Sequence, residues 1–117
     1  MYKIKIYETP LGNKPFEKHI EKLLKQHKAD EIYEIRAYLS KLEQYGFEIN
    51  TKFKHDAIKL LRENVYELRP SNQRVFFFCF KNGEFVILHG YEKKTNKTDP
   101  NEIDKAIREK NHVLRRK

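Results

Sequence analysis

One cysteine, one methionine and no tryptophan occur in 117 residues, with only four glycines and four prolines. A lone cysteine excludes an intramolecular disulfide framework and any cysteine-based zinc cluster. Long hydrophobic runs are missing too. The longest, Val75 to Phe80, has six residues, whereas a membrane-spanning helix needs about twenty. No apolar stretch follows the first residues, so no signal peptide is expected, and a cytoplasmic protein without a membrane partner is the reading. Acidic side chains are in deficit, 17 against 25 Lys and Arg, for a formal net charge of +8 at pH 7. What is present argues for a folded chain: 38% hydrophobic residues, including 8 Phe and 7 Tyr. This length predicts one domain over residues 1–117, large enough to bury a core without metal or disulfide staples.

The positive charge is unevenly placed. Residues 1–51 carry 9 basic and 8 acidic side chains, a net of +1, whereas residues 52–117 carry 16 and 9, a net of +7. Such a field attracts polyanions, above all nucleic acid. An acidic protein partner, or a charge that serves solubility, fits the composition as well.

Tyr2, Ile4 and Ile6 alternate with lysines and predict an N-terminal strand with one wet face. Phe16, Ile20, Leu23 and Leu24, then Ile32, Ile35, Leu39 and Leu42, recur at helical spacing and predict a helical hairpin closed at Gly46. Glu48 to Asp56 reads as a polar loop carrying Lys52, Lys54 and His55. The period then becomes two, predicting strands over Ala57–Leu61, Val65–Arg69, Arg74–Phe80 and Phe85–Tyr91, with Asn82-Gly83 as a hairpin turn. Asp99-Pro100-Asn101-Glu102 opens a last helix that buries Ile103, Ala106, Ile107 and Val113 or Leu114. The expected class is α+β, ordered β-α-α-β-β-β-β-α, a mostly antiparallel twisted sheet with helices on one face.

Counting outward from a two-residue Asn82-Gly83 loop pairs Phe80 with Phe85, Phe76 with His89 and Arg74 with Tyr91. A four-residue Pro70–Gln73 loop then pairs Arg69 with Arg74 and Glu67 with Phe76. Because side chains alternate faces, Glu67, Arg69, Arg74, His89 and Tyr91 should share one side of the sheet, at the end where Lys93 and Lys94 leave it. Arginines and lysines so placed can hold a phosphate and stabilise added negative charge. Glu67, His89 or Tyr91 could move the proton of an RNA 2′-hydroxyl. Each residue alone has a plainer role. Glu67 with the arginines can be a surface ion network, His89 a hydrogen-bonded structural residue, and Tyr91 half-buried packing. Lys93, Lys94 and Lys97 can be solvated loop, and Cys79 inert packing on the face of Val75 and Phe77. The convergence favours an enzyme.

Three segments carry a resemblance: Val65-Tyr-Glu-Leu-Arg-Pro70, Arg74-Val-Phe-Phe-Phe, and Ile87-Leu-His-Gly-Tyr-Glu-Lys-Lys-Thr-Asn-Lys-Thr98. Together they resemble the HigB-like, phage-related branch of the RelE/ParE toxin superfamily, over residues 58–108. The resemblance implies a RelE-like fold and a type II toxin that cleaves mRNA on the ribosome without metal or other cofactor. It also implies a cognate antitoxin, HigA-like with a helix-turn-helix domain. Arg74 matches the phosphate-binding arginine, Arg69 the arginine of the E-L-R strand, and Lys93 and Lys94 the basic pair that follows the last strand. Tyr91 matches the aromatic position before that pair. Better-studied RelE-type nucleases carry lysines where Val65 and Glu67 stand, so Glu67, His89 and Tyr91 all remain candidate bases. Lys59, or Lys52 and Lys54, could restore the missing charge, with Lys97 as a further RNA contact. A ParE-like gyrase inhibitor or a non-catalytic RNA-binding domain are the alternatives.

Overall fold

In the computed structural model, residues 1–81 and 83–116 are described. The elements run β1 (Lys3–Ile6), α1 (Pro15–Lys25), α2 (Ala29–Tyr45), a 3-10 turn (Gly46–Glu48) and the single turn α3 (Ile49–Lys52). Then come β2 (Ile58–Leu60), β3 (Tyr66–Leu68), β4 (Gln73–Lys81), β5 (Glu84–Glu92) and α4 (Pro100–Arg115). The class is α+β: a five-stranded mixed sheet ordered β1-β5-β4-β3-β2, with three longer helices. β1 lies parallel to β5, and the other three pairings are antiparallel. The strand, not the helical pair, is the first element. No helix among the described residues is long and apolar enough to cross a membrane.

Helices cover both faces of the sheet, where the sequence reading put them on one. β4 and β5 are apolar on both sides. Val75, Phe77, Phe85 and Ile87 pack with Phe16, Ile20 and Leu23 of α1 and Ile35, Tyr38 and Leu42 of α2. Phe76, Phe78, Val86 and Leu88 pack with Ala106 and Ile107 of α4. A strand with no polar alternation is a strand buried on two sides. The helix α2 ends where Gly46 adopts φ +59°, and a Cβ there would meet the Tyr2 ring at 2.5 Å. The segment read as loop over residues 48–56 instead winds through the 3-10 turn and α3, anchored by buried Ile49. Asn50 closes this segment, accepting from the Ile58 amide at 2.8 Å and donating to the Ile58 carbonyl at 3.0 Å.

The register holds where the site is built. Arg74 pairs with Tyr91, Phe76 with His89, and Glu67 with Phe76. The expected Phe80–Phe85 pair does not form; Phe85 faces Cys79 instead. The ladder shifts twice, between Phe76 and Phe77 and between Cys79 and Lys81, with one extra residue first on β5 and then on β4. One extra residue on each strand cancels, so the register at the far end is that of an uninterrupted hairpin. Asn82 lies outside the described residues; Gly83 beside it has φ +73°, and Lys81 faces Glu84. Cys79 is exposed rather than packed, displaced by the shift next to it.

Candidate functional site

Glu67 sits on β3, on the α4 side of the sheet, 1% exposed. Its Oε1 accepts from the Thr98 hydroxyl at 2.6 Å. Arg69 Nε lies 3.7 Å from Oε2, and Arg74 Nε lies 3.9 Å from Oε1. Arg69 stands just past β3, where its amide donates to the Ala57 carbonyl; the β3–β4 ladder ends at Leu68 and Val75, so the expected pair with Arg74 lies outside it, while the guanidinium reaches Glu67. Arg74 is 5% exposed, and its Nη1 donates at 2.8 Å to the carbonyls of both Ser71 and Gln73. That grip on the turn before β4 fixes the direction of the guanidinium. Among the described residues, Arg74 Nε is the one buried side-chain nitrogen or oxygen without a hydrogen-bond partner. A cation so placed keeps its Nε–H donor for something not yet bound.

Arg69 and Arg74 open onto a cleft of about 270 Å³ that Lys54, His55, Asp56 and Ser71 complete. Lys93 is held beside it, its amide donating at 2.8 Å to the carbonyl of Asn72, the neighbour of the lining residue Ser71. Its ammonium is held below the ordinary lysine value, first by desolvation and then by repulsion from Arg74 and Arg69, with Lys59 adding to it and Glu67 opposing. Lys59 faces Glu67 across the β2–β3 pair. Four cations, Lys59, Arg69, Arg74 and Lys93, therefore surround one buried carboxylate, and Lys54 joins the two arginines in lining the cleft.

The other candidates fall elsewhere. His89 is 2% exposed and lies under α4, with Nδ1 2.6 Å from Glu109 Oε1 and Nε2 2.8 Å from Glu102 Oε1. Whichever partner carries each shared proton, both ring nitrogens are occupied, so the imidazole pins the helix and has no free lone pair facing the cleft. Tyr91 stacks on Phe76 with centroids 5.7 Å apart, and its oxygen accepts from the Asp99 amide at 2.9 Å. Burial raises its phenol above the ordinary tyrosine value, so it stays protonated and can donate. Lys94 turns away from Lys93 toward a separate hollow lined by His19, Lys22 and Lys105. Lys52 is exposed at the end of α3, and Lys97 is exposed in the loop before α4.

Sequence reasoning missed Thr98, the partner of Glu67. Its one signal is its place directly before Asp99, which caps α4 by accepting from the Asn101 amide at 2.9 Å. Glu102, at the third position of the helix, turns instead to His89. On the opposite face, His19 Nε2 and Gln73 Oε1 lie 2.6 Å apart, and Gln73 donates to Glu31 at 2.5 Å. That network docks α1 and α2 on the same sheet end, and nothing in the local sequence pattern announces it.

No curated protein matches the chain. The profile of the family described as "Phage derived protein Gp49-like (DUF891)" matches residues 22–111. That span takes in α2, the whole cation cluster and most of α4. The chain belongs to this phage-derived Gp49-like family, a family of RelE/ParE-like toxins of toxin–antitoxin systems.

Proposed function

We propose that the chain, as one toxin domain with the RelE-like order of elements and of the HigB-like branch, is a ribosome-dependent mRNA endoribonuclease that works in the cytoplasm without metal. The observation that carries this reading is Arg74: a buried guanidinium, fixed by two carbonyls, with an unpartnered Nε beside a cationic cleft. Such a group suits a phosphate oxygen. The 2′-oxygen of the substrate attacks phosphorus as the bond to the 5′-oxygen breaks, leaving a 2′,3′-cyclic phosphate and a 5′-hydroxyl. Arg69 and Arg74 hold the non-bridging oxygens and stabilise the extra charge of the transition state. Lys93, its proton affinity lowered by desolvation and by Arg74 and Arg69, takes the 2′-hydroxyl proton. Tyr91, kept protonated by burial, gives one to the 5′-oxygen. Glu67 orients the arginines, and Lys54 and Lys59 attract the chain of phosphates.

A cognate antitoxin, HigA-like with a helix-turn-helix domain, is the partner that keeps the cluster silent. The test is primer extension on a defined mRNA with translating ribosomes, comparing wild type with Arg74→Ala. Discrete cuts that vanish in the variant, with loss of growth inhibition and an unchanged circular dichroism spectrum, are expected. Unchanged toxicity of Arg74→Ala would overturn the assignment. Absence of cuts together with inhibition of gyrase supercoiling would replace it by the ParE-like reading.

A further inference from the structure

The cationic cleft does not end at Lys54. That residue lines it with Arg69 and Arg74, and its Nζ also lies 6.0 Å over the ring of Tyr38 on α2. Next to Tyr38 is Phe53, edge to face at 5.2 Å between centroids and 82° between planes. Phe53 is 40% exposed, a large ring left in water just past α3. Lys41 Nζ stands 5.6 Å over Phe53 and 5.8 Å over Tyr45. Outward from Arg74 the contacts therefore run from Lys54 over the buried Tyr38 ring to the exposed Phe53 ring and on to Lys41. Cations that track a backbone beside exposed rings are what a single strand of nucleic acid needs, because every base has a π-face and every nucleotide a phosphate.

We propose that Phe53, with Lys54 and Lys41 on either side of it, is a binding subsite for a nucleotide flanking the cut in single-stranded RNA: the base stacks on Phe53, and adjacent phosphates meet Lys54 and Lys41. This rests on the nuclease reading, since Lys54 joins the subsite to the arginine cleft. An acidic protein segment would answer to the lysines, but it would not need an aromatic face at Phe53.

The test uses the full chain at low salt and two labelled, fully 2′-O-methylated RNAs, a trinucleotide and an octanucleotide, followed by fluorescence anisotropy. Phe53→Leu keeps an apolar side chain against Tyr38 and removes the aromatic face; Phe53→Tyr keeps that face. Phe53→Leu should weaken the octanucleotide about five- to a hundredfold, the range for loss of one base–aromatic stack. The trinucleotide, held at the cleft, should bind as in wild type, and Phe53→Tyr should restore the octanucleotide. Equal octanucleotide binding by wild type and Phe53→Leu overturns the subsite and leaves the nuclease reading standing. RNA binding that is untouched by Arg74→Ala overturns the nuclease reading, and the subsite falls with it. A loss confined to antitoxin binding in Phe53→Leu assigns the ledge to the protein partner and overturns the proposal.

Discussion

Lys93 is the side chain whose chemistry depends most on its neighbours. An isolated lysine near water holds its proton to about pH 10.4, but this one is partly desolvated and repelled by Arg74 and Arg69. In a titration followed by NMR of the lysine ε-carbons, Lys93 should release its proton at lower pH than an open-surface lysine. Arg74→Ala removes one of the two repelling arginines and should move that midpoint upward; an unmoved midpoint would refute the coupling. If Lys93 transfers a proton, Lys93→Arg keeps the charge and loses the function, because guanidinium stays protonated. Ribosome-dependent cleavage should then drop about a hundredfold or more, the lower end of what one proton-transfer group contributes. Retention of the wild-type rate would reduce Lys93 to a charge. The sequence could place Lys93 beside the arginines, because β-strand alternation and a turn count reach that far. It could not tell Lys93 from Lys94. Their separation is set by the hydrogen bond from the Lys93 amide to Asn72, a contact between loops with no periodic signature.

At the scale of elements, α4 is pinned by one imidazole between two carboxylates. Removing the ring leaves Glu109, nearly buried, without its counterpart, while Glu102 at 30% side-chain exposure retains some water. His89→Asn should therefore cost about 3 kcal/mol in urea unfolding, the lower part of the range for breaking a buried pair. Amides of α4 should exchange faster than those of α1; an unchanged midpoint would show that the pin carries little. On the other face, α1 is docked through His19. Burial, opposed by its bond to Gln73, holds this imidazole below the ordinary value, and Lys22, Glu92 and His89 complete its charged surroundings. Unfolded His19 binds a proton as pH falls through about 6.5, while the folded ring resists it, so stability should fall in that window. The urea midpoint should be lower at pH 5.5 than at pH 7.5, and His19→Gln should flatten part of that difference; an identical slope would clear His19 of the effect. The sequence allowed His89 a hydrogen-bonded structural role but named no partner for it and gave no sign of the His19 pin, though the helices they hold were legible from Phe16, Ile20 and Leu23 and from Asp99-Pro100. Periodicity reports which face is apolar. It does not report which polar residue on that face meets which partner.

The whole molecule concentrates its charge where the sheet opens. The net of +7 over residues 52–117 was readable by counting. Part of its focus was readable too, since strand alternation put Arg69, Arg74 and Lys93 at one sheet end; Lys54, from the segment after α3, and Lys59, across from Glu67 on β2, join them only through the fold. Folding turns a diffuse excess into a local field. Such a field binds single-stranded nucleic acid largely by releasing counterions, so the logarithm of affinity falls linearly with the logarithm of salt, by about 0.7 per phosphate neutralised. The slope is therefore a count of contacts, and it separates cations that touch RNA from those that only add to the net charge. Lys54→Gln and Lys25→Gln make the comparison, because both remove one positive charge, and Lys25 is exposed in the last turn of α1, outside the residues that line the cleft. For the 2′-O-methylated octanucleotide between 50 and 200 mM salt, Lys54→Gln should lower the slope by about 0.7, one phosphate's worth. Lys25→Gln should leave it at the wild-type value. If both variants lower the slope alike, the excess charge acts as a smooth cloud rather than through the cleft. If neither does, the contacts with RNA lie on another face.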